Sequence, residues 1–239
     1  DHTEYLGDTL EKITKEKAAV IEKESFVISC YQSTIVRKII NDRVKKVGAF
    51  IHWVEPLSKD WELGLKGNFQ RQNASVALKV AHLLIKKGWP IKNKDIKEGL
   101  AKTIWSGRLE VINYENKSIL VDSAHNSSAA EVLSSERRNW NNQEKGVYWI
   151  IGVQKQKNIV AIIQKLIKSI DKVLIVPVPN QESWSLSEIK KLYKYKLENF
   201  IEFNNFIDAL IYLKGLDEWP KCMPVITGSI FLVSEFIKY

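Results

Sequence analysis

Ile119-Leu120-Val121-Asp122-Ser123-Ala124-His125-Asn126 is the stretch on which the fold turns. An apolar run of strand type ends in Asp-Ser-Ala-His-Asn. A helical pattern follows, with Ala129, Ala130 and Leu133 on one face. In an open α/β sheet, ligands bind in the crevice beyond the carboxyl ends of the strands. This stretch delivers a carboxylate, a hydroxyl, an imidazole and an amide to such an edge. The same residues also suit a plainer role, because Asp, Asn and Ser commonly cap the helix that comes next.

Working outward from it, the pattern from Arg108 onward alternates regularly. Strands are predicted at Leu109–Ile112, Ile119–Val121, Val147–Ile151, Val173–Val176, Phe200–Phe203 and Pro224–Ile226. Helices are predicted near Ser127–Arg138, Ile159–Ser169, Ser185–Tyr195, Phe206–Lys214 and Ser229–Lys238. Strands alternating with helices predict parallel pairing in a doubly wound sheet. The first two strands form a hairpin, since Asn113–Lys117 is too short for a crossover.

Upstream, Trp105-Ser106-Gly107-Arg108 reads as a linker with a composition shift behind it. Before it, Asp8 or Thr9 caps a helix carrying Leu10, Ile13, Lys17 and Val20–Ile21. Phe26–Cys30 is a short strand. Ile35–Val44 is an amphipathic helix with Ile35, Ile39 and Ile40 inward. Ala49–Ile51 and Trp61–Leu65 read as strands, the latter from its apolar/polar alternation. A helix carrying Ala74, Ala77, Leu78 and Ala81 follows Gly67-Asn68-Phe69-Gln70 and stops at Gly88-Trp89-Pro90. Another spans Lys94–Ile104 behind an Asn93 cap.

The 239 residues allow one large domain or two smaller ones. With 45% apolar and 27% charged residues the composition is globular, and no apolar run reaches membrane-spanning length. The chain opens on Asp1-His2-Thr3-Glu4, without a signal peptide or an initiator Met, which suggests a piece of a longer protein. Cys30 and Cys222 read as buried free thiols of a reduced cytosol. The net charge of +8 attracts anions, but the lysines are scattered and no nucleic-acid motif is visible.

Several residues could carry chemistry. His2 is a candidate metal ligand. The glycine turn at Gly67, entering a helix at Gln70-Arg71-Gln72-Asn73, can present backbone N–H groups and an amide to an anion or a purine. Arg108 can clamp phosphates bidentately. Gly152-Val153-Gln154-Lys155-Gln156-Lys157 is a strand end with lysines at a helix entrance, an arrangement suited to anions. No GxxxxGK[ST] phosphate loop, GxGxxG, HExxH, CxxC or GxSxG is present. From the residues alone, the chain is an α/β fragment with an anion site.

Six motifs in order resemble the folylpolyglutamate synthase/dihydrofolate synthase family, relatives of the muramyl peptide ligases. Asp1-His2 through Leu6-Gly7 and Thr9 resembles D-H-x-x-x-L-G-x-T, and Glu16-Lys17-Ala18-Ala19-Val20 resembles E-K-A-G-I. Gly67, Gln70 and Asn73-Ala74 resemble G-x-x-Q-x-x-N-A, while Trp105, Gly107 and Arg108 resemble W-P-G-R. Asp122-Ser123-Ala124-His125-Asn126 resembles D-G-A-H-N, and Thr227-Gly228-Ser229 resembles a late T-G-S.

The resemblance implies a Rossmann-like, mostly parallel C-terminal domain of Mur ligase type at 107–239, the glutamate-ligase domain. It is preceded at 1–106 by the α/β tail end of an ATP-binding central domain, whose phosphate loop would lie before Asp1. The implied activity is an ATP- and Mg2+-dependent amide ligase, adding L-glutamate to folate or dihydropteroate through an acyl phosphate. His2 is then a magnesium ligand and Lys17 the lysine that the family carbamylates, a reaction that needs a neutral amine and so favours burial. Asn73 faces adenine, Arg108 the phosphates and Asp122 the ribose. His125 lies near the transferring phosphoryl group or the glutamate, and Lys157 and Ser229 are candidate substrate contacts. The implied protein is a cytoplasmic monomer, with no nucleic-acid or membrane partner, and this chain alone is inactive. A muramyl peptide ligase and a non-catalytic anion-binding or interaction domain remain rival readings, the first disfavoured by D-H-x-x-x-L-G with E-K-A.

Overall fold

A computed structural model of the chain describes residue 7, residues 9–192 and residues 197–239. The chain divides into two compact units, Asp1–Ile104 and Trp105–Tyr239.

In the first unit, the Thr9 hydroxyl accepts from Lys12 N–H at 3.2 Å and starts α1 (Leu10–Ala18). The alternative cap, Asp8, lies outside the described residues. β1 (Phe26–Cys30) and β2 (Phe50–Val54) pair in parallel, so α2 (Thr34–Val47) is their crossover. Gly48 ends α2 in the left-handed conformation that a helix C-terminus favours. Ala18, Ile21 and Val44 form a small core with Val27, Ile40 and Ile51. Of the residues expected inward on α2, Ile40 packs against this core and Ile39 is half-buried, whereas Ile35 is exposed and its neighbour Val36 is buried instead. α3 (Gln70–Lys86) and α4 (Asn93–Lys102) follow in the same unit. The α4 cap is Lys92 rather than Asn93, because the Asp95 carboxylate accepts from Lys92 N–H at 3.2 Å.

Trp61–Leu65 is not a strand. Its alternation of burial is real, with Trp61, Leu63 and Leu65 half-buried, but among the described residues no strand pairs with it. It runs instead against the end of α4. Gly64 N–H donates to Leu100 C=O at 2.9 Å, and a Cβ on Gly64 would lie 2.3 Å from the Thr103 carbonyl oxygen.

The second unit holds a sheet whose described strands are β3 (Glu110–Tyr114), β4 (Lys117–Val121), β5 (Tyr148–Ile151), β6 (Lys172–Ile175), β7 (Phe200–Glu202) and β8 (Val225–Thr227). Their spatial order is β3-β4-β8-β5-β6-β7. Only β3 with β4 is antiparallel, joined through Glu115 and Asn116, both left-handed, as a two-residue hairpin turn requires. α5 (Ser127–Glu136), α6 (Ile159–Leu166), α7 (Leu186–Leu192), α8 (Phe206–Lys214) and α9 (Ile230–Lys238) cover the sheet. The predicted end of α7 at Tyr195 falls outside the described residues.

Strand side chains alternate between the two faces. Ile119, Val121, Ile150, Leu174 and Ile226 meet Phe206, Leu210 and Leu213 of α8 and Leu232, Val233 and Phe236 of α9. Leu120, Trp149, Ile151 and Val173, of opposite parity, are equally buried, as are Leu133 of α5 and Ile162, Ile163 and Leu166 of α6. Below the sheet, at the amino ends of β5 and β6, Arg137 and Asp171 form a bidentate ion pair at 2.7 and 2.6 Å, with both residues 1% exposed. Of the two free thiols, Cys222 is buried and Cys30 only half-buried.

Candidate functional site

Insertion of β8 between β4 and β5 sets the carboxyl ends of three parallel strands side by side. Asp122–Ser123–Ala124–His125 follow β4, Gly152 follows β5, and Gly228–Ser229 follow β8. Backbone bonds knit these ends: Asp122 N–H to Ile226 C=O at 3.1 Å, Gly152 N–H to Thr227 C=O at 3.2 Å, and Gly228 N–H to Ala124 C=O at 3.0 Å. Gly228 has φ +102, and a Cβ there would stand 2.6 Å from the Gly152 carbonyl oxygen. Gly228→Ala is therefore expected to cost more than about 1 kcal/mol, read as a fall in melting temperature.

Asp122 does not cap α5. It is 6% exposed, and its two oxygens accept from Ala124 N–H at 2.9 Å and Leu109 N–H at 3.1 Å. Burial outweighs these donors and the nearby Arg108 charge, and it raises the carboxyl above its ordinary value. Asn126 is the α5 cap, accepting from Ala129 N–H at 2.8 Å. His125 is half-buried, with Nδ1 2.9 Å from the Ser123 carbonyl oxygen. A carbonyl only accepts, so Nδ1 carries a proton in this contact.

Arg108 is half-buried, and its guanidinium makes no hydrogen bond among the described residues. It stands between Gly107 (φ +75) and Leu109 (φ +44). Leu109 is a buried non-glycine residue in the left-handed region, which costs about 1–3 kcal/mol and persists only when its surroundings enforce it. Ser229 is 1% exposed, and its hydroxyl is used as the α9 cap, accepting from Phe231 N–H at 3.2 Å.

The loop after β5 is tied to α7 and to the segment before it. Lys155 pairs with Glu188 and lies 4.4 Å from the Trp184 ring centre. Trp184 Nε1–H donates to the Lys157 carbonyl at 2.9 Å, and Lys157 is half-buried. Lys155 thus already has its carboxylate, which narrows the anion-site reading of this loop. The Lys155 ammonium, together with the N–H and hydroxyl of Ser185, holds the Glu188 carboxyl down to about 2. Its stabilising effect is present above the ordinary carboxyl value and is lost as pH falls toward about 2. In a carboxyl-carbon NMR titration, the Glu188 midpoint should return toward 4.5 in Lys155→Met.

In the first unit, the Asn73 amide donates to Gln70 Oε1 at 2.9 Å. Gln70 is buried, and both amides line a cavity of about 180 Å³ whose other walls include Leu63, Leu65, Ala77 and Leu100. Lys17, in the last turn of α1, is exposed, so the burial that would favour a neutral amine is not provided by the described residues. His2 lies outside the described residues, and among those described no group of three or more His, Cys, Asp or Glu could hold a metal ion. The described side chains therefore do not make up the implied magnesium site.

Sequence reasoning passed over Glu110, whose Oε2 accepts from Gly107 N–H at 2.8 Å. Its signal was faint: an acidic residue three places after a linker glycine.

Residues 107–239 match the family described as dihydrofolate synthetase, C-terminal domain. Over its whole length the chain is 29% identical to a dihydrofolate synthetase of Saccharomyces cerevisiae, of which it covers 63%. It is 28% identical to a dihydrofolate synthase/folylpolyglutamate synthase of Buchnera aphidicola, of which it covers 58%. The chain thus spans about three-fifths of the length of these curated relatives. Among solved structures, a folylpolyglutamate synthase of Thermotoga maritima superposes with a TM-score of 0.71 at 25% identity, over 96% of this chain and 58% of that one. Escherichia coli FolC, solved in complex with DHPP and ADP, shares the fold with a TM-score of 0.81 at 21% identity, over 100% of this chain and 58% of that one. Sequence and fold agree over the second unit, and on that agreement the chain belongs to the dihydrofolate synthetase C-terminal domain family.

Proposed function

We propose that this chain supplies nucleotide-binding and glutamate-handling parts of an ATP-dependent ligase that joins L-glutamate to dihydropteroate or a folate. In that reaction the terminal phosphoryl group of ATP passes to a substrate carboxylate, releasing ADP and forming an acyl phosphate. The glutamate amine then attacks the acyl carbon, phosphate leaves with the bonding pair, and the amine gives up a proton. The names of the relatives support this reading. On it, the first unit is the end of the ATPase domain and the second is the glutamate-ligase domain.

The observation that carries it is Arg108. A half-buried guanidinium without a hydrogen-bond partner among the described residues, rooted beside the carboxyl edge of a parallel sheet, is suited to a bound phosphate. Asp122 would hold the ribose, and His125 would lie near the transferring phosphoryl group or the incoming glutamate. The apolar cavity edged by the Gln70 and Asn73 amides suits adenine, a flat ring system with a polar rim. Magnesium, when bound, would neutralise charge on the transferring phosphoryl group.

The full-length protein is expected to sustain ADP formation over many turnovers only when ATP, L-glutamate and dihydropteroate or a folate are all present. ADP formation with a muramyl peptide instead would favour the peptide-ligase reading, and none with any acceptor would favour a non-catalytic domain. The chain alone is expected to release no ADP, since it holds no GxxxxGK[ST] cradle for the phosphates. With Lys17 exposed, its intact mass should show no carbamate. We further expect a cytoplasmic monomer without nucleic-acid or membrane partners; no helix among the described residues is long and apolar enough to cross a membrane.

A further inference from the structure

We propose that Glu110 and Ser123 are positioning residues that hold Arg108 ready for phosphate. The proposal rests on reading Arg108 as a nucleotide-phosphate contact. Two left-handed residues, Gly107 and Leu109, flank Arg108 and fix the direction in which its side chain leaves the backbone. Gly107 adopts this conformation freely, whereas the non-glycine Leu109 keeps it only when neighbouring groups over-determine it, and the restraints on both are visible bond by bond. The Gly107 N–H donates to Glu110 Oε2 at 2.8 Å. The Gly107 carbonyl accepts twice from Ser123, from its N–H at 2.9 Å and from its hydroxyl at 3.0 Å. On the far side, Leu109 N–H is held by Asp122 at 3.1 Å.

Packing adds to this. A Cβ on Gly107 would come within 2.8 Å of the Val233 side chain and 2.9 Å of the Ser123 hydroxyl, so the turn has no room to shift toward them. Ser123 is 3% exposed, which leaves its hydroxyl bond to Gly107 shielded from competing water.

An arginine side chain loses much rotamer freedom when it grips a ligand, and fixing its root beforehand reduces the disorder that binding must remove. Releasing the Gly107 N–H or carbonyl frees the root and weakens phosphate binding without touching the reacting atoms. A contact made equally in the ground and transition states appears in KM and leaves kcat in place.

The test uses the full-length protein and its ATP-dependent ligase assay. Glu110→Ala should raise KM for ATP by roughly three- to tenfold at nearly constant kcat, and Glu110→Gln, which keeps an acceptor oxygen, should restore it. Ser123→Ala, which removes only the hydroxyl donor, should act in the same direction and replaces Glu110→Ala if that variant does not fold. In a double-mutant cycle, Glu110→Ala should add nothing once Arg108 is alanine. If Arg108→Ala raises KM but Glu110→Ala and Ser123→Ala do not, the positioning proposal is wrong and the phosphate reading stands. If the Glu110→Ala effect persists unchanged in the Arg108→Ala background, the role is merely structural and the proposal again fails. If Arg108→Ala itself leaves KM for ATP unchanged, the phosphate reading falls and takes this proposal with it.

Discussion

Asp171→Ala is expected to lower the stability of the second unit by about 3–5 kcal/mol, the usual cost of leaving one member of a buried ion pair alone. The Asp171 carboxylate accepts from both terminal nitrogens of Arg137, from Lys168 N–H at 2.8 Å, and from Val147 N–H and Trp149 Nε1–H at 3.0 Å. Its removal strands a guanidinium that is 1% exposed, along with two backbone donors and an indole. Arg137→Met should cost less, because the carboxylate keeps its three N–H donors. Replacing both residues by apolar ones should not recover the loss, since those donors would still lack an acceptor. Urea midpoints give the ranking. Cys222 offers a local probe: it is 1% exposed and burial pushes its thiol up, so faster reaction with a thiol reagent in Asp171→Ala would report opening of this corner. Equal midpoints for Asp171→Ala and the wild type would refute the account.

The second large effect is expected at Asp122. Its carboxylate restrains two backbone amides, one of them on the strained Leu109, and hydrogen bonds to a charged group are each worth about 1.5–3 kcal/mol. Part of that gain offsets the cost of burying the charge, so Asp122→Ala should lose about 2 kcal/mol of stability. In the full-length enzyme it should also raise KM for ATP by about ten- to hundredfold, through loss of the proposed ribose acceptor and of an anchor beside Arg108. Arg108→Ala should weaken ATP binding while leaving the melting temperature nearly unchanged, and this contrast separates support from contact. Asp122→Asn tests the charge. Because burial raises the folded-state value of this carboxyl above the ordinary 3.8, ionisation opposes folding. That penalty is absent below the ordinary value and complete above the raised one. The wild type should therefore gain stability over Asp122→Asn as pH falls through this window. A difference independent of pH would remove the electrostatic part of the explanation.

Much of the edge chemistry was legible because it is local. Asp-Ser-Ala-His-Asn marks a strand end and a helix start whatever lies around it, and Asn126 caps α5 as such residues do. The same locality misleads at Trp61–Leu65. Alternation there reports a buried edge, but a strand needs a partner to hydrogen-bond with, and that is a tertiary matter. At Asp122 the residue was singled out and its main bond was not, since Leu109 lies thirteen positions away and only the hairpin returns it. Lys17 belongs to a local motif, but its exposure follows from which face of α1 packs inward.

Most helices and strands lie where the local pattern of residues places them, because the spacing of apolar side chains, the capping residues and the turn glycines act within a few residues of one another. Phe26–Cys30 and Phe206–Lys214 are strand and helix over those very residues. Tertiary structure alone decided that β8 enters between β4 and β5, that Gly228 N–H meets Ala124 C=O, and that Arg137 finds Asp171 thirty-four residues on. These pairings depend on which surfaces bury each other best once the elements exist. Apolar burial has no direction of its own, so the choice among partners falls to shape and to the need of every buried polar group for a hydrogen-bonding mate.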